Sequence, residues 1–330
     1  MSDQFVNIFK IDDNSLKIAK DYVTHNELVA FPTETVYGLG ANAYSSDAIK
    51  KVYAAKGRPS DNPLIVHVHP EYDISSLVVD TPTAKKLRAA FLPGPLTIVY
   101  DSKGIVSPLV SCGLTTLAIR VPSNAGAQKF LRFVDMPIAA PSANISKHTS
   151  PVTAMHVYED FGLTIPMILD GGRCEGGIES TVIDVTGDIP IILRKGLITA
   201  EMVKKVVGSC EYAAEGSALN GRSPGTKYRH YCPKTQTKLF GVGEVDKALS
   251  FYDDCQKEGK TALLMCDGFT AKNIEGRNVF DLGTCGAVMA NRLYFGLHES
   301  ENYDVLIGIR FETFDEVVLS VENRFLKAFG

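Results

Sequence analysis

Four stretches of this chain hold more hydroxyl, amide and cationic side chains than a core requires, and they do not resemble the usual hydrolase sites. Residues 31–42 (FPTETVYGLGAN) place Thr33, Glu34, Thr35 and Tyr37 directly after the apolar run LVAF. Gly38 and Gly40 follow and are expected to allow tight turns. Residues 56–69 (KGRPSDNPLIVHVH) put Lys56 and Arg58 where a helical stretch ends, with Pro59 and Pro63 flanking Asp61 and Asn62. Two fixed cations beside a rigid turn suit a polyphosphate, because arginine offers a planar fork and lysine a point charge. Residues 140–151 (APSANISKHTSP) bring Ser142, Asn144, Ser146, Thr149 and Ser150 after another apolar run. In residues 170–194, Gly171, Gly172, Gly176 and Gly177 precede Glu179, Ser180 and Thr181, and such glycines let backbone N–H groups approach an anion.

Several chemistries are excluded. No G-x-x-x-x-G-K-[ST], G-x-S-x-G, H-E-x-x-H or C-x-x-C occurs. His67 and His69 share a strand face by the period of two, yet no third ligand is suitably spaced, so no metal is expected from protein ligands alone. Lys56 could simply cap its helix, but that leaves Arg58 and Asn62 unexplained. The clusters offer cations, amides and hydroxyls without a protein nucleophile. Such a site works by positioning and charge stabilisation, as nucleotidyl transfer requires.

The elements that must carry these side chains read as two domains. Apolar, β-branched runs at 28–31, 64–68, 98–100, 117–121, 137–140, 167–170, 180–185 and 191–194 predict strands. Residues 48–55 predict a helix with Ile49, Val52 and Tyr53 on one face. Many strands among irregularly placed helices imply an α/β fold with an open, mixed sheet. Residues 211–233 show no periodic element, and RSPGTKYRHYCP (222–233) is too aromatic and basic for an inert spacer. Beyond it, strands at 238–242, 261–266, 279–282 and 305–310 alternate with helices at 246–257 and 287–297, ending in a helical tail at 322–328. That alternation predicts a small doubly wound parallel sheet, and Gly241-Val-Gly243 reads as a simple turn. The boundaries are thus 1–208 for the first domain, 209–236 for a linker over the site and 237–330 for the second domain.

The formal net charge of −4 argues against a protein coated in nucleic acid. Seven cysteines without disulfide spacing, no apolar run long enough for a membrane span and no secretory start imply a cytoplasmic protein.

Taken in order, FPTETVYGLG, Lys56 and Arg58 running into DNPLIVH, Ser142 with Asn144, GIESTVID from Gly177, RSPGTKYRHYCP and the tail at 321–328 closely resemble the threonylcarbamoyl-AMP synthase family in its two-domain form. The resemblance implies a YrdC-like first domain with a concave face and a Rossmann-like second domain. It also implies a reaction that joins L-threonine, bicarbonate and ATP into threonylcarbamoyl-AMP and pyrophosphate. A downstream tRNA threonylcarbamoyl-transfer complex would use that product at adenosine 37. Carried over by position, Lys56, Arg58, Ser142 and Asn144 form the catalytic set. Arg58, Asn62, Thr116, Ser142, Ser150, Arg194 and Tyr231 would hold ATP with its Mg²⁺. Thr35, His67, Arg120 and Ser180 would hold threonine, with Arg120 on its carboxylate. This chain departs from the pattern at Lys195, Thr226 and Cys232. One rival reading is a structured-RNA-binding module, using Lys50, Lys51, Lys56 and Arg58 for a weak tRNA contact. Another is carbamoyl-adenylate chemistry of the hydrogenase-maturation kind, for which the chain lacks the extra segments.

Overall fold

A computed structural model describes residues 6–214, 216–223 and 231–330. The chain divides into two compact units. The first holds the described residues within Met1–Ser146, Pro151–Glu175 and Glu179–Tyr228, and the second those within Lys147–Ser150, Gly176–Ile178 and Arg229–Gly330. Most of RSPGTKYRHYCP, residues 224–230 with Thr226, lies outside the described residues.

The strands of the first unit are β1 (Ile8–Lys10), β2 (Val29–Phe31), β3 (Gly38–Asn42), β4 (Ile65–His67), β5 (Leu96–Asp101) and β6 (Thr116–Arg120). They continue with β7 (Ile138–Ala139), β8 (Met167–Asp170), β9 (Thr181–Asp184), β10 (Ile191–Arg194) and β11 (Glu211–Tyr212). Its helices are α1 (Asp13–Thr24), α2 (Ser46–Lys56), α3 (Pro82–Phe91), α4 (Pro108–Ser111), α5 (Ala125–Val134), α6 (Ala154–Phe161) and α7 (Ala200–Val207). Among the described residues these strands form one sheet in the order β1-β8-β2-β3-β7-β4-β6-β5-β9-β10-β11. Pairing is mixed: β4 runs parallel to β6, while β7 runs antiparallel to both β3 and β4.

Local chemistry sets these bounds. In α5 the buried Ala127, Phe130, Leu131 and Val134 fall at helical spacing, and the Asn124 side chain caps the start. That face joins Leu16, Ala19 and Val23 of α1 over Val29, Phe31, Met167 and Leu169 of the sheet. In α2, Ser45 caps the N-terminus and Gly57 ends the helix at φ 57°, in the left-handed region. Ile49, Val52 and Tyr53 are buried together, as expected.

Two sequence expectations fail here. The GLGAN segment is strand β3 rather than a pair of tight turns. A Cβ on Gly40 would lie 2.9 Å from the Ile138 side chain and 3.0 Å from the Phe31 ring, so the glycines permit close packing instead. Residues 211–233 are not devoid of elements either, for β11 pairs with β10 and Ala218–Arg222 form a 3₁₀ turn.

The second unit contains β12 (Gln236–Phe240), β13 (Ala262–Cys266), β14 (Val279–Asp281) and β15 (Val305–Ile309). Its helices are α8 (Val245–Lys257), α9 (Gly268–Ala271), α10 (Gly286–Glu299) and α11 (Glu316–Phe329). The four strands are all parallel, in the order β12-β15-β13-β14, as the alternating pattern required. The tail helix starts at Glu316 rather than near 322, because Asp315 caps it by accepting from the N–H groups of Val317 and Val318. Gly241-Val-Gly243 is a turn, closed by the Glu244 N–H donating to the Gly241 carbonyl at 3.2 Å. Among the described residues no helix is long and apolar enough to cross a membrane.

Candidate active site

The parallel pair β4 and β6 links two groups of polar side chains. Its register sets His67 opposite Arg120 and Ile65 opposite Ala118. Carried back two residues, the same register brings Thr116 opposite Pro63, next to Asn62. One end of the pair therefore presents Asn62 and Thr116, and the other His67 and Arg120. The ends are about 13 Å apart at the rise of a strand.

Around Asn62, Arg58 Nη2 donates to the Asn62 carbonyl at 2.8 Å. Asn62 is fully buried, and neither its Oδ1 nor its Nδ2 has a hydrogen-bond partner among the described residues. Native structures seldom leave a buried amide unmet in this way, and its donor and acceptor are placed for a ligand. Lys56 is 3% exposed and donates to the carbonyls of Ser142 at 2.6 Å and Asn144 at 2.5 Å. Burial pushes its pKa well below the usual lysine value, the Arg58 charge adds to this, and Asp160 opposes it. Asp160 also accepts the Ile145 N–H at 2.9 Å. Lys56 is thus a strut that shapes the loop carrying Ser142 and Asn144, a role with no sequence signature because its partners are backbone carbonyls. A bridge between Ser142 and Gly38 ties that loop to β3.

At the other end, Arg120 is 3% exposed and its Nη2 lies 2.8 Å from Glu34 Oε1. The contact falls outside hydrogen-bonding direction, for Arg120 Nε and Nη2 and Glu34 Oε1 all lack hydrogen-bond partners among the described residues. That edge of a guanidinium is the one that takes a carboxylate in two-point fashion. His67 packs its ring edge-on against Phe31, with centroids 5.7 Å apart. Burial, reinforced by the Arg120 charge, lowers its pKa to about 3, so the imidazole is neutral near neutral pH. His69 lies past the end of β4, between Glu71 and Asp135, so the two histidines do not form one metal face. Ser180 Oγ meets Thr97 Oγ1 at 2.7 Å and accepts from Arg194 Nη2 at 3.2 Å. Thr97 stands opposite Arg120 in the β5–β6 register, which brings Ser180 and Arg194 to the Arg120 end. Thr35 is fully buried and shares a hydrogen bond with Thr33 at 2.9 Å.

Ser150 and Tyr231 belong to the second unit. There the Ser150 carbonyl lies 3.2 Å from His298 Nε2, and the Tyr231 ring packs on Tyr294 at 5.2 Å between centroids. Tyr231 has a left-handed φ of 69°, rare for a tyrosine. Sequence reasoning gave no role to Glu34, Thr97 or Asp160. The signal available for Glu34 was a lone acid between two threonines after a buried strand, and for Thr97 a threonine inside the apolar run LTIV.

Two family models match the chain. One, described as telomere recombination, covers residues 21–196. The other, described as the C-terminal domain of threonylcarbamoyl-AMP synthase, covers residues 198–330. The threonylcarbamoyl-AMP synthase of Pyrococcus abyssi (strain GE5 / Orsay) is 38% identical over 331 residues, spanning 97% of this chain and 96% of the relative. That of Bacillus subtilis (strain 168) is 39% identical over 333 residues, spanning 97% and 94%. The crystal structure of P. abyssi Sua5 complexed with L-threonine matches with a TM-score of 0.87 at 36% identity, covering 97% of each chain. The chain belongs to the threonylcarbamoyl-AMP synthase family.

Proposed function

We propose that this chain makes threonylcarbamoyl-AMP and pyrophosphate from L-threonine, bicarbonate and ATP. The observation that carries the reading is the buried Arg120, whose Nε–Nη2 edge has no hydrogen-bond partner among the described residues, beside a neutral His67 and the Ser180 hydroxyl. A planar fork suits the α-carboxylate of an amino acid, and a neutral imidazole with nearby hydroxyls suits its side-chain OH. The P. abyssi relative, whose structure contains L-threonine, supports the same assignment. Thr35 would complete the amino-acid end.

Asn62, Thr116, Arg58 and Ser142 would meet the nucleotide, with Arg194 offsetting charge from the Ser180 side. Asn144 would add its amide there. Threonine's amine takes up bicarbonate to give an N-carboxylate and water. A carboxylate oxygen then attacks the α-phosphorus of ATP, and the bond to pyrophosphate breaks. With Arg58 on the Asn62 carbonyl, the donors here are a guanidinium and an amide, and the Asp160 carboxylate is engaged by Ile145. A hard ion such as Mg²⁺ takes oxygen ligands, so it would arrive on the ATP phosphates rather than in a protein cage. The product would pass, in the cytoplasm, to the machinery that modifies tRNA.

The test is direct. Incubation with ATP, bicarbonate and labelled threonine should release pyrophosphate and yield a labile adenylate that carries the label. Omitting threonine should abolish the signal, and serine should sharply reduce it. Pyrophosphate release that ignores threonine would refute the reading. A steep salt dependence of RNA binding without turnover would favour an RNA-binding module instead.

A further inference from the structure

We propose that Glu34 receives the α-ammonium group of threonine and takes up the proton the amine loses before it is carboxylated; this rests on the assignment of Arg120 to the threonine carboxylate. The loop that presents Glu34 is built for it. Thr33 Oγ1 donates to the Val36 carbonyl at 2.6 Å and accepts the N–H groups of Thr35 and Val36, folding residues 33–36 into a tight turn. Glu34 is 8% exposed within that turn. Its Oε2 is held by the Ser123 N–H at 3.0 Å, which fixes the carboxylate, while Oε1 lies beside Arg120 with no hydrogen-bond donor.

A carboxylate whose only task was to hold Arg120 would meet the guanidinium fork in its plane, with two N–H···O bonds. Here charge adjacency is kept and the hydrogen bonds are not made. Each partner therefore keeps one unmet edge, of opposite sign, a few ångströms apart. An α-amino-acid zwitterion has that pattern, with its carboxylate and ammonium separated by a single carbon. Arg120 would take the first and Glu34 Oε1 the second.

The proton balance is closed. The ammonium gives one proton to Glu34 and becomes a free amine; amine and bicarbonate then form the N-carboxylate and water. The protonated Glu34 is neutral and does not oppose the negative charge that appears on nitrogen's new substituent. Other groups near Glu34 do not compete for that proton. Arg120 from β6 offers only donors, and burial makes the His67 imidazole from β4 a poor base, with its pKa lowered to about 3. The Cys174 thiol, near Arg173, is pushed up to about 12 by burial.

The experiment compares wild type, Glu34→Gln and Glu34→Asp, measuring kcat and KM for threonine separately across pH 6–10. A proton acceptor of this kind contributes about 10²–10⁴-fold, so Glu34→Gln should lose at least about 100-fold in kcat/KM near neutrality. It should regain up to tenfold per pH unit as solution supplies the free amine, while Glu34→Asp keeps the wild-type profile at reduced rate. A Glu34→Gln profile that superimposes on wild type, with only KM raised, would overturn the proposal in favour of a prop for Arg120. A second arm needs no turnover. Calorimetry should show wild type preferring threonine over 3-hydroxybutanoate, its analogue without the amine, and Glu34→Gln binding the two alike. Equal binding by wild type would sink the idea even if pyrophosphate release fails, whereas that failure alone would strike the reading of the reaction.

Discussion

In the eleven-stranded sheet, β4 and β6 end on His67 and Arg120, side by side and buried. In the four-stranded sheet, β13 and β15 bury Ala262–Cys266 and Val305–Ile309, ten residues without one polar side chain. Both arrangements come from parallel strands covered on two faces, which normally read as continuous apolar runs. The second unit follows that rule in these strands; it carries exposed pairs such as Lys257 with Asp254 on α8, and its buried Arg324 on α11 is met by the Ser320 carbonyl at 2.9 Å. The first unit breaks it at the strand ends and the segments beside them, where Lys56, Asn62, His67, Glu34 and Arg120 are all buried. Buried polar groups are costly unless they are satisfied, so a sheet that keeps several of them partly unmet is built around something it binds.

Breaking the polar region should separate activity from stability most sharply at Arg120. Arg120→Met should abolish threonine-dependent pyrophosphate release and, by leaving Glu34 buried without its partner, cost about 3–5 kcal/mol. The double variant with Glu34→Gln should recover most of that stability in a urea melt and none of the activity. A double variant as unstable as the single one would show that the pair is not what the cost measures.

In the apolar region the corresponding change is Leu264→Ala, at a fully buried position in β13. It removes side-chain volume with no polar group at stake and should cost about 2–5 kcal/mol in denaturant unfolding. Loss below 1 kcal/mol would mean that the second unit's core is not close-packed there.

Asn62→Leu tests the contrast from the other side. It replaces a buried amide with no hydrogen-bond partner among the described residues by an apolar side chain of similar size. Stability should rise by about 1–3 kcal/mol, the penalty of the unmet group, while ATP binding weakens in a titration. Joint loss of stability and binding would point to an ordinary structural amide.

Much of this contrast was legible in the chain, and its gaps have physical causes. Apolar runs located most strands of both units to within a residue or two, because burial on both faces leaves an unmistakable pattern, whereas of the first unit's helices only α2 was read from the chain. The glycines of GLGAN misled, since a turn and a close approach use the same residue; only the packing of Phe31 and Ile138 distinguishes them. Short β1, with its partly buried IFK, carries too little pattern to announce a strand. In the site, cations and amides showed in local motifs, so Arg58, Asn62 and Ser142 stood out. The pairing of Glu34 with Arg120 did not, because it depends on a turn made by Thr33 and on the register of distant strands. The bonds from Lys56 to two carbonyls were not legible either, because no side-chain pattern reveals backbone partners.

His67 gives the contrast a pH dependence. Its pKa falls from the usual 6.5 to about 3 on folding, so between those values the unfolded chain binds more protons than the native one. Stability from this group is therefore full above about pH 6.5 and is lost as pH falls toward 3, by up to about 1.4 kcal/mol per unit. His67→Phe, which keeps a ring against Phe31, should flatten that part of the stability–pH curve relative to wild type. Parallel curves would mean that His67 is protonated in the native state.

The smallest effect should come from the exposed charges of the second unit. Lys257 and Asp254 sit three residues apart on α8 with side chains 76% and 58% exposed, and their nitrogen and oxygen lie 2.8 Å apart. Solvent screens such a pair, and holding two long side chains together costs entropy that cancels most of the attraction. Lys257→Ala should leave the melting midpoint unchanged within error at any salt concentration. A clear drop that disappears in high salt would show that surface charge matters to this unit after all, and would narrow the difference between the two sheets.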